Sequence, residues 1–160
     1  MPMAEQISVP VVATNIDVSQ ERPKPRLLAL LFCDFTNLTK DDKPNLLGVF
    51  DRIFVDPEKR TTPPFAIFVR VAEVVEAFNI TVFDSDNQPA FTVLSVPQAQ
   101  VHKEGFPRQT QTALAVQFKT EKAGPFWCDV SYKGESLGGA GLVIEYRKSE
   151  DKDGGTDTYI

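Results

Sequence analysis

Cys33, Asp34, Asp51 and Arg52 lie within one short stretch, "LFCDFTNLTKDDKPNLLGVFDRIF", in which two apolar runs meet at a polar turn. A thiol beside a carboxylate could serve as a nucleophile if a histidine reached it, two carboxylates could share a cation, and a carboxylate beside a guanidinium makes an ion pair. Pairing Lys40 with Asn45 in a hairpin sets Asp34 opposite Asp51 and Cys33 opposite Arg52. Like charges directly opposed destabilise a strand pair. A bulge that slips the register by one residue sets Asp34 against Arg52 instead. Asp34, Asp51 and Arg52 are therefore ion-pair candidates closing a strand end, with a cation between the two carboxylates as the alternative.

A second oxygen-rich cluster is "FDSDNQP", where Asp84, Asp86 and Asn87 are metal candidates. Calcium takes six to eight oxygens, so this loop supplies only part of a site. Asp34, Asp51 and Asp56 would enlarge it if they shared the same end of the fold. The same residue types suit a hairpin turn, because Asp and Asn bond their own backbone and tolerate left-handed φ. His102, the only histidine, stands in "AQVHKEG", and no spacing links it to Cys33 or Cys128. GxSxG, P-loop, GxGxxG, CxxC and HExxH patterns are all missing, and "GGAG" at residues 138–141 lacks the strand-then-helix setting of a phosphate loop. No catalytic residue and no cofactor is expected.

The elements that would position these residues read as strands. The 160 residues suffice for one domain with a sizeable core, and Phe is abundant at 12. Short period-2 apolar runs recur, separated by turn residues: "RLLALLFCDF", "NLLGVFDRIFV", "PFAIFVRVAEV", "AFNITVFDSD", "QPAFTVLSVPQAQVH", "TQTALAVQFKT", "PFWCDVSYKG" and "LGGAGLVIEYR". Eight strands without a helix predict an all-β fold, a two-sheet antiparallel β-sandwich. Pro44 belongs to a turn or strand edge, and Pro97 weakens the fifth strand. The last two strands form a hairpin over residues 133–139. Residues 1–25, with four prolines, read as an N-terminal arm, residues 26–147 as the sandwich, and residues 148–160 as an acidic disordered tail.

Partners follow from charge and from apolar surplus. Asp and Glu number 22 against 17 scattered Lys and Arg, for a net charge of −5, which disfavours nucleic acid and anionic membranes. Neither a secretory signal nor a membrane-length apolar run opens the chain, so a cytoplasmic protein is expected, with Cys33 and Cys128 as buried thiols; a disulfide between them is not excluded by sequence. Residues 27–32 are apolar on both faces, whereas a sandwich strand normally buries one. Something must cover the second face, and Leu27, Leu28 and Leu30 are interaction candidates for a protein partner or self-association. Trp127 is a core or rim anchor, or a ligand platform. The terminal "DTYI" matches the type of peptide that PDZ grooves bind, on three residues only.

The opening hairpin also resembles a family of small uncharacterised bacterial proteins, a domain of unknown function. The resemblance rests on Cys33, Asp34 and Asn37, then Asp41 or Asp42 with Lys43 and Asn45, then Gly48, Phe50, Asp51 and Ile53, with a departure at "DDKPN". "ITVFDSDNQP" and "DVSYKGESLGGAGLVIE" extend it to about residues 26–147. It implies an immunoglobulin-like sandwich from a bacterial cytosol and carries no activity or catalytic residues. The expected function is a non-enzymatic protein-binding or assembly module; the alternative is a calcium- or small-ligand-binding sandwich using the Asp-rich end loops.

Overall fold

A computed structural model describes residues 23–41, 43–97 and 107–147. Within them nine strands form two sheets: β1 (Arg26–Leu38), β2 (Pro44–Phe50), β3 (Arg52–Val55), β4 (Phe65–Ala72), β5 (Phe78–Phe83), β6 (Pro89–Ser95), β7 (Gln109–Val116), β8 (Gly124–Tyr132) and β9 (Glu135–Tyr146). The four-stranded sheet runs β2-β1-β4-β7 and the five-stranded sheet β3-β9-β8-β5-β6. The fold is the two-sheet β-sandwich expected from the alternating pattern. Strands β4 and β7 face β5, β8 and β9 as the B, E and C, F, G strands of an immunoglobulin-like sandwich do. No helix of the described residues is long and apolar enough to cross a membrane.

Inward-pointing residues alternate along both sheets, as the two-residue strand period requires. Phe32, Ile67, Val69 and Val71 from one sheet meet Ile80, Val82, Cys128, Val130, Leu142 and Ile144 from the other. Phenylalanines continue this core at one end. Phe50 packs at 5.8 Å from Phe65, Phe65 at 6.4 Å from Phe118, and Phe118 at 6.0 Å from Phe126, mostly edge-on or tilted as ring quadrupoles favour.

Two features depart from the expected eight antiparallel strands. The run "NLLGVFDRIFV" divides at Asp51: β2 stays beside β1, whereas β3 crosses to the other sheet and pairs with β9 in parallel. The crossing is fixed by backbone bonds, since Val143 N–H donates to the Asp51 carbonyl at 2.8 Å and Arg147 N–H to that of Val55 at 3.0 Å. The final hairpin also turns more tightly than expected. Only Lys133 and Gly134 form its loop, at φ of 51° and 82°, the doubly left-handed turn that matches strand twist.

Candidate functional site: the outward face of the first hairpin

Register decides what the β1–β2 hairpin displays. Cα partners run Phe32 to Phe50, Cys33 to Val49, Phe35 to Leu47 and Asn37 to Asn45, so Asp34 stands opposite Gly48. Its loop is residues 39–43, closed by Thr39 N–H to the Lys43 carbonyl at 2.9 Å. The pairing is thus three residues away from one that joins Lys40 to Asn45. An odd shift exchanges the two faces of a strand pair. Phe32 and Phe50 point to the core, while Leu31, Cys33, Phe35, Leu47 and Val49 share the outward face.

That face is apolar and open. Phe35 is 54% exposed, Leu47 53% and Val49 54%, with Leu31 beside them at 37%. No charged side chain lies on the outward face of the paired segment, which runs from Leu31 to Asn37 on β1 and from Asn45 to Val49 on β2. Cys33 sits beneath these residues, fully buried, its Sγ 3.9 Å from the Ala66 carbonyl. Beyond it, Thr36 and Asn37 share a depression of about 250 Å³ with Phe68, Gln111, Thr112 and Ala113. The distal half of β1 therefore returns over β4 and β7, and Ala66 and Phe68 of β4 are buried although they point away from the core. Arg70 extends this surface, 6.0 Å from the Phe68 ring and 2.7 Å from Gln111 Oε1.

The expected interaction residues divide. Leu30 is in the core and Leu27 is part-buried against it, while Leu28, 39% exposed, is the extra residue of a bulge where β1 shifts against β4. Trp127 lies on the outer face of the other sheet, 48% exposed, and any side chain at residue 139 would collide with its indole. Phe35, Leu47 and Val49 were not singled out by sequence. Their alternation was visible, but which face they occupied depended on a register set by the five-residue loop.

Arg52 finds a carboxylate other than those expected: its Nη1 lies 2.9 Å from Glu145 Oε1, across the β3–β9 pairing. Asp34 and Arg52 line one groove of about 410 Å³ with Phe50, Phe54, Pro63 and Phe65, yet the ion pair of Arg52 is with Glu145. Asp51 spends its backbone carbonyl on β9, as described above. The Asp84 cluster is a turn. Asp84 Oδ1 accepts from the backbone N–H groups of Asp86 and Gln88, both at 2.9 Å, Asn87 adopts φ 59°, and the Lys122 ammonium lies against Asp86 and 4.0 Å from Asp84. A lysine thus holds the position a cation would take. Among the described residues no three His, Cys, Asp or Glu side chains gather as metal ligands.

Both cysteines are free and buried. Burial, and then the Asp129 carboxylate, push the Cys128 thiol up to about 12. Burial and the adjacent Asp34 carboxylate also raise Cys33, against a smaller lowering by a backbone hydrogen bond from Phe35. Such thiols stay protonated near neutrality and are poor nucleophiles. His102, the N-terminal arm to residue 22 and the tail from residue 148 lie outside the described residues.

No family model matches the chain, so the particular hairpin pattern is not supported as a family signature. No curated protein matches either. Among solved structures, an immunoglobulin-like protein from Pseudomonas aeruginosa aligns at a TM-score of 0.43 with 13% identity, covering 78% of this chain and 99% of that one. The immunoglobulin-like description here rests on the strand order itself.

Proposed function

We propose that this sandwich is a non-enzymatic module that binds protein, a second copy of itself in the simplest case, through the outward face of the β1–β2 hairpin. One observation carries the reading: Phe35, Leu47 and Val49 are each more than half exposed on a single charge-free face. Contiguous exposed apolar surface of this kind marks interaction sites.

Magnitudes narrow the partner. Fully burying one such side chain contributes roughly 1.5–3 kcal/mol, so covering the exposed halves of three contributes on the order of 3 kcal/mol. Association costs at least about 4 kcal/mol in lost translation and rotation, so the patch alone gives a weak contact. β2 is also the outermost strand of its sheet and carries no charged side chain to guard its edge. A partner offering a strand as well as apolar side chains gains backbone hydrogen bonds in addition, which favours protein over a small ligand.

The test is sedimentation equilibrium over a concentration series, with Leu47→Asp as the control. Reversible self-association that Leu47→Asp abolishes supports the reading. If the wild-type chain stays monomeric, the self-binding form fails. A protein partner retained equally well by Leu47→Asp removes the hairpin face from the binding role.

A further inference from the structure

Glycines at residues 139 and 141 of β9 open a space on the outer face of the five-stranded sheet, and the chain's only tryptophan, Trp127 of β8, fills it. The register partner of Trp127 is Gly141, yet a Cβ at residue 139 would fall 2.8 Å from both Cε2 and Nε1 of the indole. The ring therefore lies down along the sheet over two residues of β9 instead of standing out from it. One side rests on glycine backbone, and the other is open, which leaves Trp127 48% exposed. The "GGAG" run is thus the bed of an indole.

Polar side chains begin where the indole ends. Asp129 is the register partner of Gly139, and its Oδ1 accepts from Ser136 Oγ at 2.5 Å. Thr81 pairs with Asp129 on the other side, and its hydroxyl lies 3.1 Å from that of Thr92, within one hydrogen bond. A row of Ser, Asp and two Thr therefore crosses the sheet next to a single aromatic ring. Successive outward residues of a strand stand ~7 Å apart, so one ligand ring over the indole can reach the row with its substituents.

We propose that this face binds a neutral glucopyranose ring of an oligosaccharide, stacked on Trp127 with its rim hydroxyls on Asp129 and the row beside it. Such a ring has both chemistries. Its equatorial hydroxyls leave C–H groups to pack on an aromatic face, and they set donors around the rim where a carboxylate accepts them. Nucleotides and acidic sugars would bring anionic groups against Asp129 in a chain of net charge −5. Quaternary ammonium groups are held by cages of several rings. A protein partner is favoured by contiguous apolar surface, but Asp129 and Thr81 border the indole, and Leu94, also exposed, lies two strands away beside Asn79.

The platform lies on the opposite sheet from the Phe35, Leu47 and Val49 face, so the inference stands or falls independently of the binding role proposed there. Trp127 is its own reporter, since no other tryptophan contributes to the emission. Titrating the full chain with cellohexaose should shift that emission saturably, with a Kd on the order of 1 mM, as a single open platform gives. Asp129→Asn, which keeps the shape and an acceptor for Ser136, should weaken binding about 5-fold with the melting temperature nearly unchanged. Calorimetry should detect no binding to Trp127→Ala, and Leu47→Asp should bind as the wild type does. The absence of a saturable change up to about 20 mM cellohexaose overturns the proposal. Undiminished affinity in Asp129→Asn overturns it too, as does an equal response to adenosine, because the indole would then be a stacking surface without selection by the polar row.

Discussion

Asp34 and Gly48 face each other across the β1–β2 pair, and the Asp34 carboxylate fills the space that a side chain at residue 48 would need. Gly48 also adopts φ of +64°, the left-handed conformation that glycine reaches without a Cβ penalty. The pair fixes the hairpin just before the chain leaves for the other sheet at Asp51. A change at either residue is therefore felt both in the hairpin and at the crossing.

Gly48→Ala combines two costs, a left-handed backbone of roughly 1–2 kcal/mol and displacement of the Asp34 side chain. Urea unfolding should show a loss of about 2 kcal/mol. In an Asp34→Ala background the second cost disappears, and the loss should shrink to about 1 kcal/mol. An unchanged midpoint for Gly48→Ala would contradict the assigned register.

Cys128 gives stability a pH dependence whose sign follows from its environment. Its folded pKa is raised from 9.0 to about 12, so above pH 9 the unfolded chain releases a proton that the folded chain keeps. The contribution is fully present below pH 9 and declines between pH 9 and about 12, by up to about 1.4 kcal/mol per pH unit. Cys128→Ala should lower stability at pH 7 through a small cavity yet show a shallower decline over that window. Parallel pH profiles for the two proteins would refute a buried thiol at this position.

Arg52 and Glu145 make an ion pair on the outer face of the five-stranded sheet, with side chains 54% and 42% exposed. Exposed pairs contribute little, because solvent screens them and two long side chains lose freedom. A double-mutant cycle with Arg52→Ala and Glu145→Ala should return a coupling of about 0.2–1 kcal/mol that fades in molar salt. A coupling beyond about 2 kcal/mol would mean that the pair also governs the β3–β9 alignment.

Much of this molecule is legible in its sequence because strand formation is local. The period-2 runs and the Asp and Asn turn residues each specify their own backbone from a few neighbouring residues. The Asp84 turn belongs to this class, since Asp84 satisfies the amides of Asp86 and Gln88 from within its own loop. Its lysine partner does not, because Lys122 arrives from 36 residues away.

The candidate site belongs to the other class. Leu47 and Val49 are apolar in any reading, but whether they lie in the core or outside turns on a one-residue parity set by the loop at residues 39–43. Arg52 meets Glu145 only because the chain changes sheets at Asp51, and no periodicity announces a strand that ends in one sheet and resumes in another. The sequence by itself determined an all-β chain and the positions of most of its turns, since these rest on side-chain alternation and backbone preference over a few residues. Only the tertiary structure decided the register, the crossing, the parallel β3–β9 pair and the outward apolar face, because each depends on contacts between residues far apart in the chain.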